Sequence, residues 1–380
     1  MKNILISILK AFKYSGKILL CFISILLTLV IFGSFLLSGS AEGSAATGTA
    51  GSYTVIDRYD MFITNTFSDA LDGVMSIKKV YWLSDEDVVA PEPNQDCFGE
   101  VSDPKEMQAI IDQAKDLLEG QELLFSTDVE ILKNSTVKYY LDDTLLVITW
   151  QFVMDDSVYS LSEVKIADPS QFRRFLSDGK YGSGSKYLTS EMAASVNAVV
   201  AANGDYYAMR QMGTIIYNSQ MMRAEGYRMD GCFIDRNGDM QFVEVGEITK
   251  EEDLEQYMID NGVRFSLAFG PILVEDGKAV KIKNPYRVGE VDIPNARAAI
   301  CQVDSLHYLI ALTSPQPPYE SGLKLDKFAQ RLEELGVDKA YNLDGGRSGT
   351  LVMNDELINY VYERKVSDII YFATAMSNGE

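Results

Sequence analysis

Histidine is almost missing from this 380-residue chain. His307 is the single one, which excludes a catalytic histidine dyad and a multi-histidine metal site. It sits in the strand-like run Leu306-His307-Tyr308-Leu309, where a structural role is expected. Cysteine is scarce as well. Cys21 lies in an apolar run, and Cys97, Cys232 and Cys301 are odd in number and far apart. That spacing makes neither a zinc site nor a disulfide framework, although one pair could bond. Positive charge is in deficit, with 34 Lys and Arg against 55 Asp and Glu, a net of −21. An acidic surface repels phosphate backbones, so nucleic acid is excluded as a partner. A single phosphate held in a local cationic pocket is not.

Charge of either sign is absent from Ile18 to Leu37, and Lys2, Lys10, Lys13 and Lys17 precede that run. Its twenty residues, rising 1.5 Å each, span a bilayer core of about 30 Å. The run exceeds the apolar core of a cleavable signal, so an uncleaved single-pass anchor is expected over 1–40. The small residues Ser38-Gly39-Ser40-Ala41 leave cleavage as the alternative. The lysines predict a cytoplasmic N-terminus and an extracytoplasmic remainder. Taking them from −21 leaves −25 for the rest. The Ala/Gly/Ser/Thr-rich stretch 41–52 reads as a flexible stem. Asn134-Ser135-Thr136 is a glycosylation sequon, meaningful only in a eukaryotic secretory route.

Apolar spacing over 53–81 is helical, and Asp103-Pro104 predicts a capped helix to about Leu118. Thr136–Leu141 and Leu145–Val153 predict a hairpin around Asp142-Asp143-Thr144, with a further strand over Tyr159–Ile166. A helix begins at Thr189, and strands dominate beyond it. The helix Asp326–Leu335, closed by Gly336, interrupts them. Asp235-Arg236-Asn237-Gly238-Asp239 resembles a calcium loop but lacks the terminal Glu, and a hairpin turn is expected. The fold class is α+β. After the transmembrane helix, a helical segment with a hairpin is expected over 53–158, then a strand-rich mixed α/β catalytic domain over 159–380.

Four segments carry chemistry. Tyr341-Asn342-Leu343-Asp344-Gly345-Gly346-Arg347-Ser348-Gly349 runs from an apolar strand into a carboxylate, two glycines, a cation and a hydroxyl. Asn203-Gly204-Asp205-Tyr206-Tyr207 closes another strand, Phe269-Gly270-Pro271-Ile272-Leu273-Val274 enters a third, and Arg297 opens a fourth. Each alone is an ordinary turn. In this order they resemble the phosphodiester glycosidase family. Asn203–Tyr207 is similar to its N-G-[GD]-[FY]-[FY], and Gly270–Gly277 to its G-P-x-L-V-x-D-G. Val164–Pro169 resembles its entry strand, Ser321-Gly322-Leu323 its S-x-G-L turn, and Asn342–Ser348 its N-L-D-G-G-G-S-S. Two positions depart: Arg347 replaces the third glycine and Gly349 the second serine.

The resemblance implies hydrolysis of glycosyl 1-phosphodiesters, N-acetylglucosaminyl ones among them, in cell-surface polysaccharide or related glycans. Such a bond breaks at the anomeric carbon and expels a phosphate monoester, already a good leaving group. What remains to be supplied is cationic help for phosphate and a carboxylate facing the sugar, as nucleophile or as base for water. Asp344 and Asp205 are the candidate carboxylates, and Arg297 the bidentate phosphate clamp. Gly204, Gly345, Gly346 and Ser348 are expected to supply backbone and hydroxyl contacts, and Asn203 to orient sugar or carboxylate. Arg347 adds a phosphate contact or blocks the pocket. Tyr206 and Tyr207 stack on sugar or pack in the core. No cofactor is required, and a divalent metal stays open. The sequence leaves oligomeric state undetermined. The alternative is a catalytically inactive glycan-binding protein of the same fold, motivated by Arg347 and Gly349.

Overall fold

Alternation of apolar residues along the strands has a direct outcome: two antiparallel sheets packed face to face. This is seen in a computed structural model, which describes residues 79–80, 89–126, 137–226, 228–282, 291–315 and 322–377. The expected span at 18–37, the stem, the sequon and most of the helical pattern over 53–81 lie outside the described residues. Within that pattern, Lys79–Val80 is instead a short strand paired with Met376–Ser377. Among the described residues no helix is long and apolar enough to cross a membrane. All of those residues fall in one unit, Ala70–Glu380.

In chain order the two main sheets use β1 (Phe98–Val101), β2 (Val137–Leu141), β3 (Leu145–Met154), β4 (Ser157–Ile166), β5 (Phe172–Leu176), β6 (Val200–Asn203) and β7 (Ile272–Glu275). They continue with β8 (Lys278–Ala279), β9 (Arg297–Asp304), β10 (His307–Ser314), β11 (Lys339–Leu343), β12 (Leu351–Met353), β13 (Glu356–Leu357) and β14 (Asp368–Phe372). The large sheet runs β8-β7-β11-β9-β10-β4-β3-β2-β1, and the small one β13-β12-β6-β14-β5. Pairing continues from β3 to β4 across residue 158, the expected boundary between a helical segment and the catalytic domain. The described part of 53–158 therefore supplies three strands of the large sheet besides its helix. That helix, α1 (Pro104–Gln113), is capped as anticipated: the Asp103 carboxylate accepts from Lys105 N at 2.8 Å and Glu106 N at 3.2 Å.

Period-two alternation sorts the strands onto two faces. Ala298, Ile300, Ile310 and Leu312 join Val200, Ala202, Ile370 and Phe372 between the sheets. Their neighbours Ala299, Cys301, Leu309 and Ala311 face the opposite way. There they meet Leu325, Phe328, Ala329 and Leu332 of a helix, α4 (Leu325–Leu335); two others, α2 (Thr189–Ser195) and α3 (Glu251–Asp260), precede it in sequence. Met192 and Ala193 of α2 cover the outer face of the small sheet. The central strands are thus buried on both sides, and all ten residues of β4 are buried. Its polar members are paired. Glu163 accepts from Leu124 N at 2.6 Å and Phe125 N at 2.8 Å, and lies 2.8 Å from Nε2 of the fully buried His307. The lone histidine is structural.

Strands Gly231–Ile234 and Met240–Val243 pair through the Asp235–Asp239 segment, which is a hairpin turn. Asp235 Oδ1 accepts from Asn237 N at 2.8 Å and Asp239 N at 2.9 Å. Among the described residues no disulfide joins Cys97, Cys232 or Cys301.

Candidate active site

Antiparallel register decides where the motifs meet. Leu343, at the end of β11, pairs with Ala298 near the start of β9. Asn203, at the end of β6, pairs with Ile369 near the start of β14. Asp344, Arg297, Asn203 and Asp368 are therefore brought to one end of the sandwich.

Two of the turns are stitched together there. Asn203 Nδ2 donates to the Asp344 carbonyl at 2.7 Å, and its Oδ1 accepts from Thr350 N at 3.0 Å. The Asp344 N–H donates to the Gly204 carbonyl at 3.4 Å. Asn203 is 1% exposed, so it positions the Asp344 backbone from below and does not reach a substrate. Steric contacts dictate the glycines. A Cβ at Gly345 would lie 2.4 Å from the Ala296 carbonyl oxygen, and Gly346 has φ +58. At Gly204 it would lie 2.1 Å from the Asp368 carboxylate. The Gly346 N–H, expected to face a ligand, donates instead to the Ala296 carbonyl at 3.0 Å.

A cavity of about 240 Å³ opens above this floor. Phe269, Asn295, Arg297, Asn342, Asp344, Gly345, Gly346, Arg347 and Arg364 are among its lining residues. The Asp344 side chain is 15% exposed and accepts from Arg364 Nη2 at 2.8 Å. The same Nη2 also donates to Ser348 Oγ. Burial pushes the Asp344 carboxyl above the usual range, while the Ser348 hydrogen bond and the charges of Arg364 and Arg210 pull against that rise. A carboxylate held this way, basic for its type yet facing cations, suits a nucleophile or general base beside an anion.

Other expected residues stand elsewhere. Asp205 does not line the cavity. It is 3% exposed, and its oxygens accept from Tyr207 N at 2.7 Å and Ala268 N at 2.9 Å. Arg174 Nη2 lies 2.9 Å from Asp205 and 2.8 Å from Asp368, all three side chains fully buried. The expectation that Asp205 acts on substrate is corrected: it is one arm of a buried Arg174-centred triad supporting the Asn203–Asp205 turn. Burial, with Asp205 adding to it, raises the Asp368 carboxyl despite Arg174.

Arg297 does line the cavity, but its Nε donates to the Leu323 carbonyl and its Nη2 to that of Ile293, both at 2.8 Å. Those bonds tie down the chain on either side and occupy donors that a phosphate fork would use. Arg347 is exposed at the rim, its guanidinium 5.4 Å from the Tyr362 ring centre. Tyr207 packs in the core against Tyr181, whereas Tyr206 faces the site region beneath Arg210 and Arg364. Among the described residues no group of three or more His, Cys, Asp or Glu is clustered as metal ligands are.

Comparison with known proteins finds a family match over this region. The phosphodiester glycosidase family matches residues 196–373, a range that includes every expected site residue. Those residues belong to the phosphodiester glycosidase family. The chain is similar to N-acetylglucosamine-1-phosphodiester alpha-N-acetylglucosaminidase of Mus musculus, 25% identical over 211 residues, 52% of this chain and 40% of that protein. The Homo sapiens protein of the same name is 26% identical over 182 residues, 45% of this chain and 35% of the relative. The chain thus spans well under half the length of these relatives. A solved zebrafish catalytic domain of that name, described as auto-inhibited by pro-peptide, superimposes with TM-score 0.49 and 19% identity over 60% of this chain and 82% of that one. The family match begins after Val164–Pro169, leaving the expected entry strand outside it. Within the glycosidase domain, Arg210, Arg364 and Asp368 belong to no recognised motif. Arg174 lies upstream of the matched range.

Proposed function

We propose that this chain hydrolyses a glycosyl 1-phosphodiester, with an N-acetylglucosaminyl diester of a cell-surface glycan as the first substrate to test. One observation carries the reading: Asp344 sits in a cavity that it shares with Arg297, Arg347 and Arg364. A single carboxylate among guanidiniums, in a chain of net charge −21, is a local reversal of sign. It favours an anionic substrate over a neutral glycoside. In the proposed reaction the Asp344 carboxylate attacks the anomeric carbon or takes a proton from attacking water. The C–O bond to phosphate breaks, and its electron pair leaves with the phosphate monoester, whose charge the guanidiniums stabilise. The relatives' names and the shared motifs support the substrate class. The lysine-flanked run at 18–37 supports a membrane-tethered, extracytoplasmic site of action.

The test is incubation of the full chain, in detergent, with the methyl phosphodiester of α-N-acetylglucosamine 1-phosphate. Release of N-acetylglucosamine by the parent, and its loss in Asp344→Asn, is the expected result. Binding without turnover would favour the inactive glycan-binding alternative.

A further inference from the structure

Two arginines that no motif announces converge on the site from distant parts of the chain. Arg364 lies on the segment leading into β14, and Arg210 follows the Asn203–Tyr207 turn. Both pack against one ring. The guanidinium carbon of Arg364 is 5.6 Å from the Tyr206 centroid, and that of Arg210 is 5.9 Å from it. Arg364 lines the cavity; Arg210 stands behind its wall, 4.8 Å from the ring of the lining residue Phe269. Both charges are felt at Asp344.

Their hydrogen bonding is unlike that of Arg297. Arg297 holds two backbone carbonyls. Arg210 Nη1 is buried and has no hydrogen-bond partner among the described residues. A buried donor on a cation, left without an acceptor, is destabilising unless something supplies one. Arg364 is 43% exposed at its side chain, and its Nη2 contacts Asp344 and Ser348, groups at the cavity itself.

On the reading that this site takes a sugar phosphodiester, we propose that Arg210 and Arg364 bind the phosphate, with Arg364 leaving Asp344 to do so. The anion then satisfies the Arg210 donor. Its arrival also releases the Asp344 carboxylate from its ion pair, so the group becomes free to act only when phosphate is in place. Arg297 keeps the loop walls together and is a positioning residue.

The experiment uses the full chain and two probes, the methyl phosphodiester above for turnover and methyl phosphate for binding alone. Arg364→Gln and Arg210→Gln are each expected to weaken methyl phosphate binding about ten-fold or more, as loss of a charged hydrogen bond should. KM for the diester rises in parallel, and Arg364→Lys recovers part of both. The Arg364 variants, changed at a half-exposed side chain, keep the parent's melting temperature. Should Arg210→Gln fail to fold, the two Arg364 variants decide. Methyl phosphate binding that is absent in the parent, or unchanged in Arg364→Gln, overturns the assignment. A parent that binds methyl phosphate in an Arg364-dependent way but cleaves no glycosyl phosphodiester would leave the clamp standing and remove the catalytic reading.

Discussion

At the scale of single residues, Asp344 and Asp205 show how burial separates two carboxylates from similar turns. Asp344 keeps a face on the cavity, so Asp344→Asn is expected to lower turnover by several powers of ten while the fold persists, checked by steady-state kinetics and circular dichroism. The Asp344 base must be ionised, so activity falls as pH drops through its raised pKa. Arg364 opposes that rise. Arg364→Gln should therefore move the acid limb of the pH–rate profile to higher pH; an unmoved limb would mean that Asp344 is not the titrating group. Asp205 instead balances a fully buried Arg174. Asp205→Asn is expected to cost about 3–5 kcal/mol in urea denaturation, because it leaves buried charge poorly compensated. Asp368→Asn should cost less, since burial already disfavours the Asp368 charge. Arg297→Lys should lower the melting temperature along with activity, through loss of the Leu323 and Ile293 carbonyl bonds.

At the scale of elements, the cavity end of the sandwich depends on α4 as much as on its strands. The helix runs Leu325–Leu335 and ends at Gly336 in the left-handed region, as its pattern and glycine predict. Phe328, fully buried, packs it against the large sheet, whose strand β11 delivers Asp344. Phe328→Ala should cost about 3–5 kcal/mol on thermal or urea unfolding, as cavity-forming truncations do. Position 349 behaves differently from the glycines before it. A Cβ there would meet nothing closer than 3.5 Å. Gly349→Ser, restoring the family's residue, should therefore fold at the parent's melting temperature, whereas Gly345→Ala, clashing with Ala296, should not.

At the scale of the whole molecule, an acidic chain carries a cationic site, and that contrast makes binding dependent on salt. KM for a phosphodiester should rise with added NaCl more than KM for a neutral glycoside does, because screening weakens the attraction between the substrate's charge and the guanidiniums. The proposed tether makes a separate prediction. Alkaline carbonate washing of membranes should leave the full chain in the pellet; release into the supernatant would show that residues 18–37 do not hold it there.

Local chemistry made much of this legible in advance. Asp103-Pro104, the hairpin at Asp142–Thr144 and the helix before Gly336 all act through neighbours a few residues away. The strands Phe172–Leu176, Leu351–Met353 and Asp368–Phe372 are short and form the small sheet only by pairing with β6 or with one another. With them came Arg174 and Asp368, which bond each other across 194 residues, while Asp368 accepts the Asp205 N–H from 163 residues away. No local pattern distinguishes such residues from ordinary surface charges. The same holds at the site. Motif order singled out Arg297 and Asp205 for substrate, but burial and existing hydrogen bonds commit them to structure. Arg364, unmarked in the sequence, reaches Asp344, and Arg210 comes near enough for its charge to act there, because antiparallel register and the packing of two sheets bring their segments to one end. Residue type set which chemistry was possible here; only the tertiary structure decided which carboxylate and which arginines were left with groups free to perform it.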